Sequence, residues 1–543
     1  MLRTLLLLCT ALAAVVPPVA AMPCNAGRVF LDADRDGHAD PDEPGLPDVA
    51  VSDGLRVVRT DAEGRYALPV ESGRTVFVVK PAGYAVPAGV DGLPRFWRHL
   101  QPEPGPALRY GGIPAAPAAC HDFALWPQTP APRRRAEALR VLVFGDPQPK
   151  TAQDVAHYRG DIVQAVLDDA AQDAHPHVPA ADLGLSLGDI VHDDLSLYPL
   201  VTAATAALGV PWLHAPGNHD LDFDAAGDED SLRTFRNSFG PDTFAWEERE
   251  AVFVVLDDVI YLPGQRPEYI GGLRQAQFAF LEAYLPTVPK DRLLVLAMHV
   301  PLFEEPGRDG FRDTDRARLF ALLRDFPHVL VLSAHRHTQQ HVFHDAASGW
   351  QGAAPLHEYN VGAACGAFWS GVKDARGIPD ATMSDGTPNG YAVLTVRPGG
   401  AYALAWRPAQ GGALAPTTPA IALHAPKVLR HGAWPGFAVY ANVFMGHERT
   451  RVEYRVDDGP WQPMRRVLQP DPRVLAENLR DDQAAALRGY DRIPEATPSP
   501  HLWRGPLPTD LAPGEHRIEV RAFDDWQGEQ RAATSYRLDV ATP

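Results

Sequence analysis

Val141-Leu142-Val143-Phe144-Gly145-Asp146-Pro147-Gln148 decides how the rest of the chain is read. Four apolar residues without alternation describe a strand buried on both faces, and the glycine, carboxylate and amide after them put polar chemistry at its C-terminal end. The design recurs. Leu183 to Leu187 runs into Gly188-Asp189, Leu293 to Met298 into His299, and Val329 to Ser333 into Ala334-His335-Arg336-His337. Helical periodicity occupies Tyr158 to Ala171. Strands alternating with helices predict an α/β domain, and strand ends are where such sheets keep their sites.

Five blocks follow in order: Asp146-Pro147-Gln148, Gly188-Asp189, Gly217-Asn218-His219-Asp220, Met298-His299 and His335-Arg336-His337. They combine carboxylate and amide oxygens with imidazoles. That donor set suits Mn, Fe or Zn rather than an all-oxygen calcium cage.

The order and spacing of the blocks resemble the calcineurin-like metallophosphoesterases over about residues 140 to 395. The resemblance implies a four-layer α/β sandwich that hydrolyses phosphate monoesters or diesters with a hydroxide held between two divalent or trivalent transition metals. It implies that Asp146, Gln148, Asp189 and His337 hold the first metal, that Asp189, Asn218, His299 and His335 hold the second, and that Asp189 bridges them. Two cations about 3.5–4 Å apart need such a shared anion, and a water between them loses its proton near neutral pH. His219 matches the family's catalytic histidine, which stabilises or protonates the leaving oxygen, and Asp220 is expected to orient its ring. His192, His214 and His341 match no ligand position. Two departures stand out. Gln148 replaces the His of many members and offers only a neutral amide oxygen, and Ala334 replaces the usual Gly before the His-x-His pair.

On either side the pattern turns to β. Residues 22–127 carry Val-rich runs between Asp/Gly turns, resembling carboxypeptidase-regulatory and surface-protein B-repeat modules, and predict an N-terminal β-sandwich. Asp32, Asp34, Asp36, Gly37, Asp40 and Glu43 fall on positions 1, 3, 5, 6, 9 and 12 of a calcium loop. Val29-Phe30-Leu31 and Pro44 flank it where an EF-hand has helices, so the expectation is a calcium loop in a β-module. Residues 128–138 read as a Pro/Ala/Arg linker and 139–410 as the phosphoesterase domain. Arg451 to Val456 and His516 to Ala522 alternate strictly, so 411–543 predicts a C-terminal, immunoglobulin-like β-sandwich whose middle, about 468 to 500, is a long loop with a helical turn. This three-part layout resembles a three-domain branch of the family. Trp461, Met464, Asp471, Pro472, His501 and Trp503 are read there as core and turn residues.

The 543 residues are 45% hydrophobic and 22% charged, the balance of a folded protein, and 53 Pro with 45 Gly favour turns and short strands. A net charge of −18 excludes nucleic acid as the main partner and means that an anionic, small-molecule or lipid phosphoester must be attracted locally. Arg3, the apolar Leu5 to Val16 and the small Val19-Ala20-Ala21 read as a signal peptide over 1–21, placing the protein in the periplasm or outside the cell with no membrane span in the mature chain. Oxidising conditions permit a Cys24–Cys120 disulfide, leaving Cys365 as a buried free thiol. Two other functions compete: a catalytically relict envelope or glycan-binding protein, and a phosphodiesterase or pyrophosphatase directed at lipids or nucleotides. Exported protein is expected to begin at Met22, which intact-mass measurement of the periplasmic or secreted fraction checks.

Overall fold

A computed structural model describes residues 26–69, 71–116, 121–128, 138–172, 181–303, 310–409, 414–434 and 437–540. The signal segment, Cys24, Cys120 and most of the 128–138 linker lie outside the described residues. Among the described residues no helix is long and apolar enough to cross a membrane.

The central domain is built on two sheets. In the first, Leu139–Phe144 pairs in parallel with Leu183–Leu187, which pairs in parallel with Trp212–Ala215; Gly390–Val396 and Tyr402–Pro408 close the other side antiparallel. In the second, Ala251–Val255, Leu293–Ala297, Val329–Ser333 and Leu356–Asn360 run parallel, with Phe244–Glu247 and Gln340–His344 as antiparallel edges. Val141, Val143 and Phe144 are wholly buried, as the continuous apolar run requires. The sheets are joined where the chemistry begins. Gly145 bridges Ala363 in parallel, and the Ala364 and Cys365 amides donate to the Gly145 and Asp146 carbonyls at 2.6 and 3.0 Å.

Helices cover the sheets. Ala152–Tyr158 starts at Thr151 with a capping box to Asp154, and Tyr158 packs edge-on against Phe144. The periodic stretch expected from Tyr158 to Ala171 is not one regular helix: a π turn over Arg159–Val163 precedes Gln164–Gln172. The turn carries buried Asp161 toward the Asn389 amide, 2.9 Å away.

The N-terminal domain is a pair of four-stranded sheets whose core runs on into that of the central domain without a break. It lies along the Phe244–Glu247 edge, where Phe96 packs on Phe244 and Trp246. Beneath this contact Lys80, 1% exposed, donates to Glu248 at 2.7 Å and to the Glu247 carbonyl at 2.9 Å. The C-terminal domain is a pair of sheets with its own core. Its middle is not a loop with one helical turn. Pro472–Asp482 is an 11-residue helix, started by Pro472 and capped by the Asp471 carboxylate on the Arg473 amide.

Glu248→Ala removes the carboxylate 2.7 Å from a buried lysine and is expected to cost about 3–5 kcal/mol, read from the denaturant midpoint. The double change Lys80→Met with Glu248→Leu restores most of that loss. An unchanged midpoint in Glu248→Ala would remove this pair as the clamp between the two domains.

Candidate metal centre

Asp146, Gln148, Asp189, Asn218, His299, His335 and His337 follow five different strands in sequence and meet at one place. His299 is the hub. Its Nδ1 donates to the Leu187 carbonyl at 2.8 Å, so Nε2 is the lone-pair nitrogen. That atom faces Asn218 Oδ1 at 3.0 Å, His335 Nδ1 at 3.1 Å and Asp189 Oδ1 at 3.4 Å. On the other side His337 Nδ1 donates to the Gly366 carbonyl at 2.7 Å and points Nε2 at Asp146 Oδ1, 3.7 Å away. Asp189 stands between the two groups. Its Oδ2 lies 3.1 Å from the Gln148 amide nitrogen, while Oδ1 faces His299.

The backbone is forced to make this convergence. Asp146, Gln148, Asp189, His335 and His337 all have positive φ, between 40° and 69°, a conformation that costs a side-chain-bearing residue about 1–3 kcal/mol. Ala334 is not among the positive-φ residues, so its methyl in place of Gly requires no strained backbone. Gly188 does need to be glycine: φ is +88°, and a Cβ there would lie 2.5 Å from His299 Nδ1.

The electrostatics ask for positive charge. Burial pushes the Asp146 carboxyl well up, with Asp189 adding to the effect and His299 opposing it. Burial also opposes charge on His299, yet Asp189, Asp146 and Asp258 lift it to about 10, so that with no other cation present a proton takes the Nε2 position that a metal would use. Burial holds His337 down at about 4, in its neutral, ligating form. Lone pairs and carboxylates crowded at 3.0–3.7 Å in a buried site fit bound cations. Gln148 would ligate through its oxygen, which here faces Cys365 Sγ at 3.7 Å, so that role requires the opposite face of the amide. Cys365 is free and buried, as expected.

His219 lies beside this group, with its backbone amide 2.9 Å from Asp189 Oδ1. Its ring is not oriented by Asp220. That carboxylate accepts from the Gly217 and Ile190 amides and the Tyr198 hydroxyl, shaping the loop from below. The carboxylate on the ring is Asp193, whose Oδ1 is 2.6 Å from His219 Nδ1. Sequence reading missed Asp193 because proximity in sequence favoured Asp220; its position four residues after Asp189, on the same strand-end loop, was the available signal. His192 stacks on His219 at 4.2 Å, His214 packs on Phe239, and His341 bonds His357 at 3.0 Å. At the mouth, half-exposed Phe368 stacks on His337, and Lys150 stands over the Phe368 ring with no acidic partner for its ammonium among the described residues.

In the N-terminal domain Asp32, Asp34 and Asp36 converge within 4.8 Å. Glu43 backs the loop by accepting from the Ala33 and Asp40 amides at 2.6 and 3.2 Å. Asp40 itself contributes no carboxylate to that cluster of three.

Residues 139–339 match the calcineurin-like phosphoesterase family, residues 33–109 the N terminal of calcineurin-like phosphoesterase, and residues 358–530 its C terminal. A metal-dependent phosphoester hydrolase is the class of protein that this fold and this donor set define. The chain belongs to the calcineurin-like phosphoesterases, in the form that carries both flanking domains. No curated protein matches it. Among solved structures it is similar to the purple acid phosphatase PPD1 from yellow lupin (Lupinus luteus) seeds, at 12% identity over 67% of each chain and a TM-score of 0.37. It is also similar to GAP50, the anchor in the inner membrane complex of Plasmodium, at 14% identity over 50% of this chain and 84% of that one, with a TM-score of 0.28. At these scores neither likeness bears on the chemistry.

Gly188→Ala is expected to displace His299 from the Leu187 carbonyl, lowering bound metal per chain by elemental analysis and stability by about 1–3 kcal/mol. A folded variant with wild-type metal content would contradict that account.

Proposed function

We propose that the centre takes two transition-metal ions, Mn, Fe or Zn, and hydrolyses phosphate monoesters or diesters of small molecules in the periplasm or outside the cell. The observation that carries this reading is Asp189, whose two carboxylate oxygens face two separate donor groups. Asp146, Gln148 and His337 would hold one ion with Asp189, and Asn218, His299 and His335 the other. Bound there, the ions supply Lewis acidity to a phosphoryl oxygen and acidify water.

The side chains do the rest. Asp193 holds His219 Nδ1, fixing the ring and leaving Nε2 to give its proton to the departing ester oxygen as the phosphorus–oxygen bond breaks. The products are the alcohol and the phosphate, or a phosphomonoester when the substrate is a diester. Lys150 supports attraction of an anion to an acidic protein, because it is a cation at the mouth with no acidic partner among the described residues. Export rests on the signal-like residues 1–21. For the loop from Asp32 to Glu43 we assign calcium a stiffening role, supported by the converging carboxylates of Asp32, Asp34 and Asp36.

The test pairs an aryl phosphomonoester with an aryl phosphodiester after chelation and after re-addition of Mn, Fe, Zn or Mg. Metal is expected to restore turnover, Asp189→Asn to lower bound metal from about two ions per chain and abolish activity, and His219→Ala to reduce kcat about 10²–10⁴-fold with metal retained. Two bound ions with no turnover of either ester would favour the relict, binding-protein reading. Full metal content in Asp189→Asn would refute the ligand assignment.

A further inference from the structure

We infer that the N-terminal β-domain supplies a positioning residue to the reaction: Tyr110 holds Asp193 in the conformation from which it orients His219. This rests on the reading of His219 as the proton donor to the leaving oxygen.

Asp193 has φ of +64°, so it sits in the left-handed region without being glycine. Such a residue keeps its conformation only where its surroundings hold it. Two hydrogen bonds grip its backbone. Its amide donates to the His219 carbonyl at 3.2 Å, and its carbonyl accepts from the Tyr110 hydroxyl at 3.1 Å. Between these two points the side chain reaches His219 Nδ1 at 2.6 Å. The first grip lies within the central domain. The second comes from 83 residues earlier in the chain, on a different domain.

Tyr110 is itself held in place. The Arg109 amide donates to Asp224 Oδ2 at 2.7 Å, and the Gly112 amide to the Thr234 hydroxyl at 3.2 Å. Thr234 is fastened in turn to buried Asp222 at 2.6 Å. The Arg109 guanidinium stands 5.0 Å from the Tyr110 ring centroid. The segment is thus pinned to the central domain on both sides of Tyr110, and its hydroxyl has a fixed address. The same hydroxyl also bonds the carboxylate of Asp194, the next residue of that loop.

The consequence is specific to proton transfer. A nitrophenolate leaves without help, whereas an alkoxide needs the proton from His219. A loosened Asp193 should therefore harm hydrolysis of an alkyl phosphate far more than that of a nitrophenyl phosphate. Tyr110→Phe removes only the hydroxyl. It is expected to lower kcat about tenfold on the alkyl ester and less than about twofold on the nitrophenyl ester, with KM and bound metal unchanged. Combined with Asp193→Asn, its effect should be smaller than the product of the two single losses.

His219→Ala is the control, expected to show the same bias toward the alkyl ester on a larger scale. If it does and Tyr110→Phe leaves both esters unchanged, or slows both equally, Tyr110 is not a positioning residue. If His219→Ala itself shows no leaving-group bias, the acid assignment falls, and this inference falls with it. Loss of metal in Tyr110→Phe would also overturn the proposal, since it would show a structural effect on the ligands.

Discussion

Lone pairs repel one another unless a cation lies between them, and the centre of this protein is built against that repulsion. His299 Nε2 faces an amide oxygen, a second imidazole nitrogen and a carboxylate within 3.0–3.4 Å. Nothing in the local sequence favours such crowding. It is imposed by two sheets whose strand ends are joined at Gly145 and Ala363, and by five donor residues held at positive φ. Gly188, the Asp220 carboxylate beneath the Gly217 loop, and the carbonyls of Leu187 and Gly366 that aim the imidazoles all serve the same end. Each keeps mutually repulsive groups in place for positive charge to join.

The flanking domains are attached by two kinds of contact. The N-terminal domain shares an apolar core with the central one and adds the buried Lys80–Glu248 pair, so it cannot swing free. The C-terminal domain keeps a core of its own, although Phe444 and Met445 join the central one, and it also meets the centre through a buried polar chain. His501 lies 3.1 Å from Asp385 and 2.6 Å from Asn442, and Asn442 donates to Asp471 at 2.8 Å. Asp385 accepts from the Gln339 amide at 2.9 Å, two residues beyond His337. The His-x-His loop is thus braced from behind by a network that reaches into the C-terminal domain.

The sequence by itself determined the α/β centre and its two β flanks, and it marked the residues proposed as donors, because these depend on local rules. Short, Val-rich apolar runs bounded by glycine favour doubly buried strands, and a carboxylate, amide or imidazole directly after such a strand emerges at a sheet end. It also determined the chemistry of those donors, since ligand type is a property of the side chain. The helix Pro472–Asp482 was partly legible too: Asp471-Pro472 is a cap followed by a favoured first residue, but its polar composition concealed the three turns.

Only the tertiary structure decided which groups of similar type share work. Along the chain Asp220, next to His219, is the expected partner of its ring, and Asp193, 26 residues earlier, is not. The fold turns Asp220 under the Gly217 loop, to the Ile190 amide and Tyr198, and brings Asp193 to the ring. His501 and Asp471 looked like sandwich residues and became the joint between two domains. Tyr110 lies 83 residues from the backbone it holds. Contacts between elements far apart in sequence depend on the packing of whole sheets and on backbone conformations such as the positive φ of Asp193, which no neighbouring residue specifies.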